Sequence, residues 1–173
     1  MPLTDPRAIK TRSAIIDAFN ELIITKDFNS ISIKDITEKA TINRATFYAH
    51  YEDKYDLLDQ VLSKTIRAAM EQHFTCHDAL NEQTIAAMIT SIVTVHDSMH
   101  TSCRRGYDTF GQMLQDKTIE MLENVLAGLI KDASKAALIA WAIYGAYSYW
   151  DRHPQQAIDV YALQSAKTIA ALR

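Results

Sequence analysis

Residues 32–54 read SIKDITEKATINRATFYAHYEDK, and they carry three helix starts in quick succession. Ser32 with Asp35 three positions on is the acidic form of a capping box, in which each side chain satisfies the other's backbone N–H. The spacing predicts a helix over 33–40 that buries Ile33, Ile36 and Ala40 and turns Lys34, Glu38 and Lys39 to solvent. Thr41-Ile42 ends it. Asn43 is a second good N-cap and opens a short helix from Arg44 to about His50, with Phe47 facing the core. Asp53 caps a third helix from Lys54 to about Phe74, whose apolar face runs through Leu57, Leu58, Val61, Leu62, Ile66, Ala69 and Met70.

Working outward, the upstream helix should run from Pro6 to Lys26. Asp5 caps it, and Pro6 sits at the first helical position, where a missing N–H costs nothing. Ile15, Ile16, Phe19, Leu22 and Ile23 give it one buried face. Downstream come a helix from Glu82 to about His100 and an irregular helical region from Ser102 to Asp132 containing Gly106, Gly111 and Gly128. Two strongly apolar helices follow, Ser134 to Trp150 and Gln155 to Leu172, parted by Pro154. Only 4 Gly and 3 Pro occur in 173 residues, with every Pro near an end, so the fold class is all-α.

Composition narrows the class further. An apolar fraction of 48% against 23% charged residues is that of a soluble globular chain and excludes disorder. The net charge of −3 carries no global polycation signal. Residues 1–75 hold ten Lys or Arg against eleven Asp or Glu, so any basic footprint must be local. Cys76 and Cys103 are too few for a disulfide framework, although one bond between them stays open. No signal-peptide pattern follows Met1, and the longest apolar stretch, Ala136 to Trp150, is short for a membrane span. A cytoplasmic location is expected. Neither a Gly-rich phosphate loop, a nucleophile elbow nor a paired-carboxylate motif is visible, so no enzyme and no cofactor are expected.

Two short helices joined by a tight turn can lay the second in a major groove while the first steadies it across the backbone. Arg44 can fork onto guanine O6 and N7, and Thr46 offers a hydroxyl and a methyl. Tyr48 and His50 are donors suited to phosphate oxygens. Lys54, at a helix N-terminus, adds its charge to open backbone N–H groups.

The apolar positions 33, 36, 40 and 42, followed by Thr46-Phe47-Tyr48, His50-Tyr51 and Lys54, resemble the DNA-binding segment of the TetR family, and the helix layout matches over roughly residues 5–74. That resemblance implies DNA contacts at Lys34, Arg44, Ala45, Thr46, Tyr48, Ala49, His50 and Lys54. It also implies an N-terminal three-helix helix-turn-helix domain over 1–52 and a C-terminal helical effector-binding and dimerisation domain over 53–173. Thr41 stands where the family usually has Gly. A β-branched residue suits positive φ poorly, so the turn must either change its dihedral or store strain. Ala49 offers less base contact than the larger residues often found there.

Behind residue 75 the resemblance is architectural only. Apolar residues cover more than one face of the last two helices, among them Ala136, Ala140, Trp141, Tyr144, Tyr147, Ala157, Val160, Tyr161, Leu163 and Ile169. The expectation is a homodimer through those helices, a four-helix bundle with two helices from each chain, reading a near-palindromic double-stranded DNA operator. A small-molecule effector pocket is sought among Met88, Ile92, His96, Met99, His100, Cys103, Tyr107, Phe110, Met113, Trp141, Tyr144 and Tyr147, which core packing would explain equally well. His96, His100 and Cys103, and again His73, Cys76 and His77, have a metal-compatible spacing, but polar residues near helix ends account for them better, so no metal is expected. A ligand-responsive repressor is the leading function. The alternative is a regulator on the same scaffold that acts through a protein partner with weak or lost DNA binding.

Overall fold

The computed structural model describes residues 5–73, 79–102 and 107–171, without the side chains of 73, 100–102 and 107–109. Among these residues the chain forms eight α-helices, one 3-10 turn and no strand. The order is α1 (Pro6–Thr25), the 3-10 turn Phe28–Ser30, α2 (Ile33–Lys39), α3 (Arg44–Tyr48), α4 (Lys54–His73), α5 (Glu82–Ser102), α6 (Tyr107–Ile130), α7 (Ala133–Arg152) and α8 (Ile158–Ala170). The all-α class, with a helix-turn-helix ahead of further helices, is as the sequence predicts. Two compact units result, Met1–Leu62 with Ser98–Met113, and Ser63–Asp97 with Leu114–Arg173.

In the first unit the N-termini of α1 to α4 are closed by the residues the sequence nominates. The Arg7 N–H donates to the Asp5 carboxylate at 2.9 Å. The capping box of α2 is complete, with the Asp35 N–H on Ser32 Oγ at 3.1 Å and the Ser32 N–H on Asp35 Oδ2 at 2.8 Å. The Thr46 N–H reaches Asn43 Oδ1 at 2.8 Å, and Asp53 Oδ1 accepts from the N–H groups of Tyr55 and Asp56. Such caps each contribute about 1 kcal/mol and fix where a short helix begins.

The unit closes over Ile15, Phe19, Phe28, Ile31, Ile36, Phe47, Tyr51, Leu57 and Leu58, all buried. Phe28 meets Phe19 and Tyr55 edge-on, at 6.2 and 5.3 Å between ring centres. The buried face of α2 is turned by one position from the expected one. Ile36 and Thr37 are buried, whereas Ile33 and Ala40 are half-exposed. Thr37 tolerates this because its hydroxyl donates to the Lys34 carbonyl at 3.1 Å.

The C-terminus of α2 is a Schellman turn. The Ile42 N–H bonds the Thr37 carbonyl and the Thr41 N–H bonds the Glu38 carbonyl, at 3.0 and 3.2 Å. Thr41 pays for this turn with φ of 56°, left-handed backbone that costs an L-residue about 1–2 kcal/mol. The turn thus keeps the dihedral a glycine would take and stores the strain.

In the second unit, α7 buries Ala136, Ile139, Ala140, Ile143, Tyr144 and Tyr147, and α8 buries Ala162, Ala166 and Ile169. Within the stretch expected to be irregular, Tyr107–Ile130 forms one continuous helix, α6, and Gly106 lies outside the described residues. Its glycines each cost about 1 kcal/mol relative to Ala, but the buried row Leu114, Thr118, Leu122 and Leu126 outweighs them. α8 starts later than expected. Pro154 cannot continue α7, and the Trp150 indole N–H donates to the Gln156 carbonyl at 2.9 Å, holding that segment outside the helix. No helix among the described residues is long and apolar enough to cross a membrane.

Candidate nucleic-acid interface

Phe47 fixes the orientation of α3. Its ring is fully buried, at 5.7 Å from the Tyr51 ring, so the opposite side of this five-residue helix must face outward. Arg44, Ala45, Tyr48 and Ala49 are all exposed there, Tyr48 to 56%. Tyr48 stands edge-on to Phe47 at 5.6 Å, which steadies the phenol without covering its hydroxyl. Lys34 on α2 is exposed as well. Its pairing with Glu38, 3.6 Å away, is a solvent-screened contact that a phosphate could replace at little cost.

The remaining expected contacts are engaged differently. Thr46 is half-buried, and its hydroxyl donates to Asn43 Oδ1 at 3.0 Å, so the group offered for bases serves the cap. His50 is half-buried, and burial together with the nearby Arg12 guanidinium lowers its pKa below the usual imidazole value. Both effects favour its neutral imidazole, which still carries one N–H donor.

Lys54 turns inward. Its ammonium donates to the carbonyls of Phe28, Asn29 and Ile31 at 2.9, 3.0 and 2.9 Å, and it lies 4.8 Å from the centre of the Phe28 ring. All three of its donors are used. The lysine joins the start of α4 to the 3-10 turn, and a phosphate would have to compete with those carbonyls for it. Sequence reasoning did not anticipate this, because the partners lie more than twenty positions upstream.

Residues 15–61 match the family model described as bacterial regulatory proteins, tetR family. The HTH-type transcriptional repressor BepR of Brucella suis is 25% identical over 154 residues, 81% of this chain and 74% of BepR. The uncharacterized HTH-type transcriptional regulator YxbF of Bacillus subtilis is 39% identical over 79 residues, 45% of this chain but only 20% of YxbF. A crystal structure of a TetR-family regulator from Streptomyces coelicolor superposes with a TM-score of 0.74 at 20% identity, covering 98% of this chain and 97% of that one. Residues 15–61 are thus similar to the tetR family model, and the chain shares the fold of a TetR-family regulator. The matched span runs through α2 and α3, and these carry Lys34, Arg44, Ala45, Tyr48 and Ala49 at the surface.

In this chain the residues sought for an effector are scattered. His96, Tyr144 and Tyr147 do come together in the second unit, with His96 at 4.5 Å from Tyr147 and 6.1 Å from Tyr144 between ring centres. His96 is buried, and burial lowers its pKa to about 4. Met88 and Ile92 are also buried in that unit, whereas Met99, Phe110 and Met113 belong to the first. Trp141 is 53% exposed on the outside of α7 and so lines no interior space. Cys103 and the side chains of His100 and Tyr107 lie outside the described residues, as do Cys76, His77 and the His73 side chain. Two cavities of the second unit involve other residues. One, of about 330 Å³, is lined by Ala79, Leu80, Leu129, Ile130, Lys135 and Ile139; the other, of about 520 Å³, lies beside Asn81, Glu82 and Lys167.

The outer face of α7 is apolar along its length. Leu138 is 73% exposed, and Trp141, Gly145 and Tyr149 continue the same stripe at helical spacing. Val160 and Leu163 on α8 are exposed too.

Proposed function

We propose that the chain is a transcriptional repressor that binds a near-palindromic operator as a homodimer through α7 and α8 and is released by a small-molecule effector. What supports it is the outward face of α3, where Arg44 and Tyr48 stand over a buried Phe47. Arg44 would read guanine, Tyr48 and His50 would hold phosphates, Lys34 would steady α2 on the backbone, and the methyls of Ala45 and Ala49 would meet thymine. Residues 1–52 act as the DNA-binding domain and 53–173 as the effector-binding and dimerisation domain. An operator-bound regulator of this kind works in the cytoplasm. BepR, named a repressor, supports repression over activation.

Two copies joined by a twofold axis would place their reading helices about one DNA turn apart, roughly 34–36 Å. The effector acts only to the extent that it binds the two arrangements of the body with different affinity.

Selection from a random 40-bp duplex pool tests this directly. The expected product is a near-palindrome whose half-sites are about 10 bp apart. Binding should weaken steeply between 50 and 200 mM salt, and Arg44→Ala should lose about 5- to 100-fold at one base pair of each half-site. No enrichment, or salt-independent binding to a protein partner instead, would defeat the proposal.

A further inference from the structure

We propose that Gln60 is a positioning residue for the reading helix, coupling Arg12 on α1 to the turn that leaves α3. This rests on the DNA-binding reading above. The Arg12 guanidinium donates to Gln60 Oε1 at 3.2 Å. The Gln60 amide NH₂ donates to Asp56 Oδ1 at 2.9 Å, one turn earlier on α4. The other oxygen of Asp56 accepts the Glu52 backbone N–H at 3.0 Å. Three elements are thereby tied in series, and the last link falls four residues beyond the end of α3.

The intervening segment leaves little slack. His50 and Tyr51 both donate their N–H groups to the Phe47 carbonyl, at 2.9 and 3.0 Å. Tyr51 is buried, and the Arg12 guanidinium lies 5.6 Å from the centre of its ring. Moving Glu52 therefore drags Tyr51 and Phe47, and with them the face that carries Arg44 and Tyr48.

Only a side-chain amide of this length serves. Arg12 offers donors alone and ionised Asp56 offers acceptors alone, so the link between them must accept at one end and donate at the other. Glutamate could accept from Arg12 but would set its carboxylate against Asp56. Methionine fills similar space and makes neither bond.

The test uses the full chain, unmodified and as Gln60→Met, Gln60→Glu and Arg12→Met. Two quantities are read: hydrogen exchange at the Glu52 amide without DNA, and affinity for a duplex selected by the unmodified protein against a random 40-bp duplex, from 50 to 200 mM KCl. Gln60→Met should speed Glu52 exchange about fivefold or more and weaken the selected duplex about five- to tenfold, the size of one lost hydrogen bond. Affinity for the random duplex and the salt slope should not change, and Arg12→Met combined with Gln60→Met should be no worse than the weaker single variant. Gln60→Glu should speed Glu52 exchange and lower the ratio of selected to random affinity alike, and it decides the matter if the methionine variant does not fold.

Unchanged Glu52 exchange overturns the relay whether or not the protein binds DNA. Faster exchange with an unchanged ratio of selected to random affinity overturns the positioning role. A salt slope reduced by about 0.9 in Arg12→Met would make the arginine a phosphate ligand and overturns it too. If the unmodified chain binds no duplex, the DNA reading fails and the positioning role fails with it, while the exchange result still decides whether the link exists.

Discussion

The turn region of α2 to α4 and the outer face of α7 are built on opposite plans. Around α3, nearly every small polar side chain is spent on a neighbouring backbone group: Ser32, Asp35, Asn43, Asp53 and Asp56 all close helix ends. What is left facing outward is an arginine, a tyrosine and two alanines. Along α7 only the ends carry such bonds, and the outward stripe is Leu138, Trp141, Gly145 and Tyr149. A surface of the first kind is prepared for a charged, hydrogen-bonding partner. The second kind loses free energy to water until something apolar covers it. The two faces therefore suit two different kinds of partner, a charged one for the first and an apolar one for the second.

The largest effect should come from charging the apolar stripe. Leu138→Glu with Trp141→Glu is expected to convert the dimer to monomer in sedimentation velocity, and to abolish operator binding although neither residue belongs to the unit that carries α3. Arg44→Ala should do the reverse, leaving the dimer intact and losing the operator. A monomeric unmodified protein would remove the distinction between the two faces.

Acid should act on the two units in separate pH windows. The His96 pKa falls from 6.5 to about 4 because burial beside Tyr144 and Tyr147 penalises the imidazolium. The unfolded chain binds that proton first, so the stability due to neutral His96 is complete above pH 6.5 and is lost as pH falls towards 4. The loss should approach about 3 kcal/mol. His96→Leu should flatten denaturant midpoints across that window. In the first unit, Lys26 and then Ser32 hold the Asp35 carboxyl well below the usual carboxylate range. Its contribution is present above pH 3.8 and disappears only below that. If His96→Leu retains the same slope between pH 6.5 and 4, this assignment is wrong.

Lys54→Met tests whether the lysine is structural. It strips donors from the carbonyls of Phe28, Asn29 and Ile31 and should cost about 2 kcal/mol in urea unfolding, since water can reach part of the site. A phosphate-binding lysine would instead leave stability untouched and reduce the salt slope by about 0.9.

How much was legible in sequence follows the same division. The caps at Asp5, Ser32, Asn43 and Asp53 act within three residues of themselves, so their type and spacing sufficed to place α1 to α4. Phe47 as the inward residue of α3 followed from helical period. The inward turn of Lys54 and the link from Arg12 to Gln60 join residues 23 to 48 positions apart, and no local pattern encodes them. Behind residue 75 the apolar pattern identified helices but could not distinguish a wall of a cavity from an outer face. Trp141 therefore fits both the pocket list and the dimer-forming helices in sequence, since an exposed apolar stripe and a buried one have the same periodicity. α6 was read as irregular because its glycines were counted and the four-residue spacing of Leu114, Thr118, Leu122 and Leu126 was not.

The smallest effect concerns Thr41, where the turn between α2 and α3 could be improved. Its φ of 56° is imposed by the Schellman bonds to Thr37 and Glu38, which a glycine would make without the Cβ penalty. Glycine also gains freedom in the unfolded chain, which offsets part of the relief. The net gain for Thr41→Gly should be about 1 kcal/mol, or roughly 2–4 °C in Tm. Operator affinity should stay within about twofold, because one hydrogen-bonded turn sets the angle between α2 and α3 in both proteins. A gain in affinity larger than that would mean the threonine holds the two helices in a different register from the glycine. The turn would then tune DNA binding as well as stability, and the reading face could no longer be regarded as set by its caps alone.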